Sequence, residues 1–167
     1  MIMGVTVSKV LFGSSPFLWR EDEDGTHVLK RTATLYIDYT KDGESFSGKV
    51  RFCGEATDGR GFRCDGLSVP KIFRWFLPSW KENNWLYNVA GVLHDWLYCT
   101  HGAYGRFSRE ECDDFFRCIL RASGVGLIRA AIADKALERF AGGEDHWGND
   151  SYHVAELARF EAFPCLL

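Results

Sequence analysis

The sequence lacks several features that would have assigned it to a well-defined class. It has no continuous apolar run of about 18 residues or more, so no membrane-spanning helix is expected. Segment 1–15 has no apolar signal-peptide core, which predicts synthesis and residence in a cytoplasm. Internal repeats, low-complexity stretches and glycine-rich loops in a nucleotide-binding context are also missing, so nothing indicates a repeat protein or a nucleotide-binding protein.

Charge and cysteine spacing exclude two further classes. The net charge is −3, with 20 basic and 23 acidic residues interspersed, which gives no electrostatic footprint for nucleic acid. None of the six cysteines forms a CxxC pair, so the spacing typical of a zinc or redox site is not found. In a cytoplasmic chain such cysteines are most often small buried apolar side chains.

Composition and pattern predict a single folded α+β domain. Apolar residues make up 46% and aromatic residues 15% of the chain, which favours a packed core over disorder. Residues 1–67 are expected to be mainly β, residues 68–142 to form a helical core, and residues 143–167 to add a C-terminal helix and tail. The predicted architecture is an N-terminal antiparallel β-sheet packed on a bundle of four to five helices.

Local signals divide the chain into these parts. Asp24-Gly25 and the KDGE segment at 41–44 predict two hairpin turns between strand-like segments. Ser68 is expected to cap a helix that begins near Pro70. A last amphipathic helix is predicted near 151–163, and the apolar tail could dock on the domain or on a partner protein through Phe160, Phe163, Leu166 and Leu167.

The most informative segment is AGVLHDWLY, at 90–98. On a helix, Leu93 and its apolar neighbours share one side, His94 lies at the margin of that side, and Asp95 lies about a quarter turn further round. Gly91, one turn earlier, would leave a notch between the two polar groups, and Tyr98 would close its far end.

A second helix is expected to bring another carboxylate to this notch. Ser108 and Glu111 have the spacing of a capping box, which predicts a helix beginning near Arg109. Asp113 should border the apolar stripe of that helix, whereas Asp114 should point to solvent. Because 100–107 is short enough for a helical hairpin, Asp113 could lie against His94.

Three interpretations of this cluster stay open. A carboxylate on one imidazole nitrogen raises the basicity of the other, so His94 and Asp113 could activate water while Asp95 holds a metal ion or a second proton. The same cluster could instead be a buried structural node that joins two helices. A metal site without catalysis is the third interpretation, with zinc held by His94, Asp95 and Asp113.

Three motifs resemble a phage and prophage family of unknown function. They are Asp65-Gly66-Leu67-Ser68-Val69-Pro70, His94-Asp95-Trp96-Leu97-Tyr98, and Arg109 with Asp113, and the resemblance covers about residues 48 to 142. It implies phage origin, and it makes Asp65 a candidate either for supporting the site residues from behind or for facing a metal ion beside Asp95. A phage protein would be made in the host cytoplasm and could later leave in a virion.

The pair of helices is also distantly similar to that of secreted and viral phospholipases. In those enzymes a His activates water, the adjacent Asp binds calcium, and an Asp on the next helix orients the His. The resemblance implies these roles for His94, Asp95 and Asp113, with Tyr98 supporting the network, and it implies a disulfide between Cys99 and Cys112. PSWKENNW stands where those enzymes have a glycine-rich calcium loop, so calcium and zinc are both kept as possible cofactors.

Two functional hypotheses follow. In the first, the chain is a phage-encoded hydrolase in which His94, Asp113 and Tyr98 form the catalytic cluster and act on an ester or amide. In the second, it is a non-catalytic accessory or virion protein that binds other phage proteins through its aromatic surface or C-terminal tail.

Overall fold

The computed structural model describes residues 4–13, 19–64, 78, 80–140 and 158–164. The chain divides into two compact units, one of residues 1–63 with 151–167 and the other of residues 64–150. The predicted α+β class is confirmed, since antiparallel sheets come first and helices follow. That both units belong to one domain stays a prediction. No helix among the described residues is long and apolar enough to cross a membrane.

Seven strands and five helices are found in the described residues. The strands are β1 (Thr6–Phe12), β2 (Trp19–Glu21), β3 (His27–Leu29), β4 (Ala33–Lys41), β5 (Glu44–Phe52), β6 (Arg63–Cys64) and β7 (Ala158–Pro164). The helices are α1 (Glu55–Asp58), α2 (Trp85–Cys99), α3 (His101–Gly105), α4 (Arg109–Ala122) and α5 (Leu127–Phe140).

The larger sheet has the strand order β1-β4-β5-β7 and is built around the β4–β5 hairpin. Asp42 and Gly43 form its two-residue turn, both with positive φ (54° and 82°), as a turn that follows the twist of the strands requires. Alternate β4 side chains are buried, namely Ala33, Leu35, Ile37 and Tyr39. The hairpin predicted at KDGE is therefore confirmed, and its period-2 pattern supplies one face of the core.

The earlier hairpin at Asp24-Gly25 is also confirmed. It joins β2 to β3, which pair antiparallel in a second sheet of order β2-β3-β6. Asp24 Oδ1 accepts hydrogen bonds from the backbone nitrogen of Thr26 at 2.9 Å and from its hydroxyl at 2.6 Å. These bonds hold the turn by the side-chain-to-backbone pattern that makes Asp common in turns.

The predicted C-terminal helix is wrong over residues 158–163. These residues belong to β7, which pairs antiparallel with β5, so that Phe160 lies opposite Val50 and Phe163 opposite Ser47. The segment ARFEAF also alternates charged and apolar residues at Arg159, Phe160, Glu161 and Ala162, and pairing with the open edge of β5 favours this period over the helical one. Residues 151–157, Leu166 and Leu167 lie outside the described residues, as do Asp65 and the helix predicted after Ser68.

The second unit places a buried helix at its centre. All residues of α2 from Tyr87 to Tyr98 are buried except Asp95. The sequence predicted a helix that buries one apolar side, whereas the observed helix is buried on nearly all sides. Asn84 caps its start by accepting a hydrogen bond from the Tyr87 nitrogen at 3.1 Å.

Helix α4 follows the sequence signals closely. The capping box between Ser108 and Glu111 is present, and α4 begins at Arg109 as predicted. Its stripe of Cys112, Phe115, Phe116 and Ile119 is buried, and α4 packs against α2. In α5, Ala130 and Ala133 are buried, whereas Leu127 and Ile128 are exposed.

Candidate functional site

The candidate site begins with His94 in the middle of α2. Its side chain is 4% exposed, whereas that of the following Asp95 is 24% exposed. Gly91 is buried one turn before His94. Because burying a charged or polar group without partners is unfavourable, the partners of the imidazole determine what this site can do.

Asp113 is the nearest partner of His94. Its Oδ1 lies 2.9 Å from Nε2 of the imidazole. The capping box fixes where α4 begins, and the apolar stripe of α4 faces the core. Asp113 therefore lies on the margin of that stripe, in contact with α2. The juxtaposition expected from the helical hairpin is therefore observed.

Tyr98 and Arg109 extend this contact into a chain of hydrogen bonds. The Tyr98 hydroxyl donates to Asp113 Oδ1 at 2.7 Å, and Arg109 Nε donates to the Tyr98 oxygen at 3.1 Å. The imidazole and phenol rings are 4.2 Å apart between centroids, and the guanidinium lies 5.5 Å from the phenol centroid. Tyr98 thus contacts Asp113 and the face of His94, and it holds both in place.

The other ring nitrogen of His94 faces Asp95. Nδ1 is 3.9 Å from Asp95 Oδ1, which is beyond hydrogen-bonding distance. Asp95 Oδ2 accepts a hydrogen bond from the buried thiol of Cys64 at 3.2 Å. The two carboxylates therefore lie on opposite sides of the imidazole, one in close contact with Nε2 and the other separated from Nδ1.

Sequence reasoning missed Cys64 as a member of this cluster, and it named Arg109 only as part of a motif with Asp113. Cys64 comes from β6, and no spacing within α2 or α4 could have connected it to Asp95. Arg109 did carry a signal, since it lies four residues before Asp113 and therefore on the same face of α4. The structure shows that it contacts Tyr98.

The electrostatics favour a protonated imidazole. Burial lowers the pKa of His94, but the hydrogen bond to Asp113 and the negative charges of Asp113 and Asp95 outweigh it, and the pKa is raised above 6.5. Burial also raises the pKa of Tyr98, and its hydrogen bond to Asp113 adds to this, so Tyr98 stays a neutral donor. The two flanking carboxylates thus favour the charged form of His94.

This placement argues against zinc bound jointly by His94, Asp95 and Asp113. A metal ion on one ring nitrogen is within reach of one of the two carboxylates but not of both, because they flank opposite nitrogens. Within the described parts of the chain, no three His, Cys, Asp or Glu side chains form a group that could hold a metal ion. Asp65, the other candidate ligand, is not among those parts.

Two smaller expectations are wrong. Asp114 does not point freely to solvent: its side chain is 16% exposed, close to the 14% of Asp113, and it forms an ion pair with Arg117. Cys99 and Cys112 are not joined by a disulfide; both are thiols. The similarity to the phospholipase helix pair therefore does not extend to that cross-link.

A left-handed turn joins the two helices that carry the site. In α3, residues His101 to Gly105 all have positive φ, including the non-glycine residues His101 (51°), Ala103 (46°) and Tyr104 (68°). Thr100 stabilises the turn, because its hydroxyl accepts a hydrogen bond from the Ala103 nitrogen at 3.0 Å. Such backbone is strained for L-residues, and it persists where the surrounding structure demands it.

The raised pKa of His94 predicts that this cluster stabilises the fold less as pH rises. A group with a raised folded-state pKa stabilises fully below its unfolded value, near 6.5, and the contribution disappears as pH passes through the folded value. We therefore expect the free energy of unfolding in urea to fall from about pH 6 to about pH 9 more in the wild type than in His94→Gln. Identical slopes in the two proteins would contradict this prediction.

Comparison with known proteins places the site within a family. Residues 52–136, about half of the chain, match a family model described as a protein of unknown function (DUF1353). The matched segment contains His94, Asp95, Tyr98, Arg109 and Asp113. No curated protein matches the chain, and no solved structure does.

Proposed function

We propose that this chain, which belongs to the DUF1353 family, is a phage-encoded hydrolase in which His94 activates water to cleave an ester or an amide. One observation carries the proposal: the two nitrogens of His94 have different environments. Nε2 is held by Asp113 at 2.9 Å, whereas Nδ1 stands 3.9 Å from Asp95 Oδ1, a separation that one water molecule can bridge from the side.

Exposure at the cluster supports the same assignment of roles. Asp95 is the one residue between Tyr87 and Tyr98 that is not buried, so solvent reaches α2 beside Nδ1. In the unprotonated imidazole, Nε2 would keep its proton toward Asp113 and Nδ1 would carry the lone pair. This is the tautomer that a general base on the solvent side requires.

The proposed reaction uses these groups in two proton transfers. Nδ1 takes a proton from water while the water oxygen forms a bond to the substrate carbonyl carbon. The bond to the leaving alkoxide or amine then breaks, and the imidazolium returns the proton to that group. Asp113 stabilises the imidazolium between the two steps, and Tyr98 orients Asp113. Asp95 positions the water, and it is the residue that would bind a calcium or zinc ion if the reaction is cation-assisted.

The test is a hydrolysis screen with a matched pair of variants. Purified protein would be assayed on acyl esters, glycerophospholipids and N-acyl amides, with and without Ca²⁺ or Zn²⁺. We expect Asp113→Asn to lower kcat by about a hundredfold, because it removes the charge that stabilises the imidazolium. Asp114→Asn, at a neighbouring position of similar exposure, should keep the wild-type rate. Equal rates for both variants, or no turnover of any substrate, would contradict the proposal.

A second candidate function is a non-catalytic accessory or virion protein in which the cluster joins α2 to α4. The 4% exposure of His94 favours it, since a general base has to meet its substrate. The apolar side chains of Leu127 and Ile128 are 66% and 77% exposed, and they would offer a surface to other phage proteins. Under this proposal the protein acts in the host cytoplasm or the virion through protein contacts, without nucleic acid.

A further inference from the structure

The direction of hydrogen bonding between Arg109 and His94 is fixed by chemistry. Arginine has donors and no acceptor, and it does not lose its proton in proteins. Because Arg109 Nε donates to the Tyr98 oxygen, the single hydroxyl proton of Tyr98 points away from it, toward Asp113 Oδ1. Asp113 therefore accepts a hydrogen bond from Tyr98 and does not donate one to it.

This direction continues to the imidazole. Asp113 Oδ1 is also the partner of His94 Nε2, so a carboxylate that accepts from Tyr98 accepts from Nε2–H as well. The neutral form of His94 consequently carries its proton on Nε2 and its lone pair on Nδ1. The geometry at Arg109 thus bears on which nitrogen of His94 can act as a base, through the hydrogen bond that Arg109 donates to Tyr98.

Charge gives Arg109 a second effect. Of the described residues, the titratable groups around His94 are Asp95 and Tyr98 from α2 and Asp113 from α4, with Arg109 behind Tyr98 and Cys64 of β6 behind Asp95. With both carboxylates ionised, the imidazolium and the guanidinium together balance them. Loss of the proton from His94 leaves one excess negative charge when Arg109 is present and two when it is absent, so Arg109 makes that loss easier.

We propose that Arg109 is a positioning residue that directs the proton of Tyr98 to Asp113 and lets His94 act as a neutral base at Nδ1. The inference rests on the proposed hydrolase function for its catalytic part. The effect of Arg109 on the His94 imidazole can be measured without any substrate, so the positioning role and the hydrolase function can be refuted separately.

The experiment compares Arg109→Met, Arg109→Lys and the control Arg121→Met, which removes a cation from the exposed last turn of the same helix. Nitrogen-15 NMR of the imidazole would follow the titration and the tautomer of His94. In Arg109→Met, we expect the His94 imidazole to keep its proton to a higher pH than in the wild type. We also expect kcat to fall by on the order of tenfold or more at unchanged KM. Arg109→Lys, which restores a cationic donor, and Arg121→Met should both titrate like the wild type.

The outcomes separate the two proposals. If His94 in Arg109→Met titrates at the wild-type pH with the same neutral tautomer, the role of Arg109 is refuted whether or not the protein is an enzyme. If the titration moves but the wild type turns over no substrate, the positioning role stands and the hydrolase proposal fails. If Arg121→Met moves the titration as much as Arg109→Met does, the effect is one of net charge, and the specific role of Arg109 is refuted.

Discussion

His94→Gln is expected to lower kcat on any substrate of this protein by about 10²–10⁴-fold, because in the proposed mechanism His94 accepts the proton from water. Glutamine keeps a donor that can reach Asp113, so the carboxylate is not left without a partner. It has no basic nitrogen that could accept a proton in place of the imidazole. The measurement is kcat and KM at a pH above the titration of the wild-type imidazole, where the base is unprotonated.

The control for this variant is Asn88→Leu. Asn88 is a second buried polar residue of α2, and its amide bonds to the backbone of Lys81 instead of to the cluster. Both variants therefore lose a buried polar side chain of the same helix, and both should lower the free energy of unfolding by about 1–3 kcal/mol. Activity per folded molecule should fall only in His94→Gln. A parallel loss in both variants would mean that His94 acts through the fold, as the structural-node hypothesis states.

Much of the site could be predicted because its signals are local. The capping box fixes the start of α4 within one residue, and helical spacing then determines which face carries Asp113. A short connection between α2 and α4 leaves few ways to pack them, so the contact between His94 and Asp113 follows. The Asp42-Gly43 turn is local in the same sense, since two positive φ angles specify the hairpin.

The features that could not be predicted depend on partners distant in the chain. Residues 158–164 have both helical and strand-like patterns, and the edge of β5, more than 100 residues earlier, selects the strand. Cys64 approaches Asp95 across 31 positions, which no motif records. In both cases a contact between residues distant in the chain decides the arrangement.

The left-handed turn between the helices gives the largest expected effect on stability. Gly102→Ala should lower the free energy of unfolding by about 2–5 kcal/mol, since it adds two unfavourable terms. At φ +62° an alanine is strained, and its Cβ would lie 1.9 Å from the Phe107 carbonyl oxygen, which is backbone and cannot turn aside. The residues after Gly102 lead into Ser108, so a shift here displaces the start of α4 and with it Asp113.

Gly105→Ala separates these two terms. Gly105 has φ +82°, but a Cβ there meets nothing within 4 Å, so only the conformational term of about 1–2 kcal/mol remains. Urea unfolding of both variants measures the difference, and the His94 imidazole resonances report whether the cluster moves. We expect Gly105→Ala to keep the wild-type His94 signals and Gly102→Ala to change them, because only the second forces the chain away from Phe107. Equal stabilities would show that the contact with Phe107 is readily relieved, and the turn would then not be what holds α4 against α2.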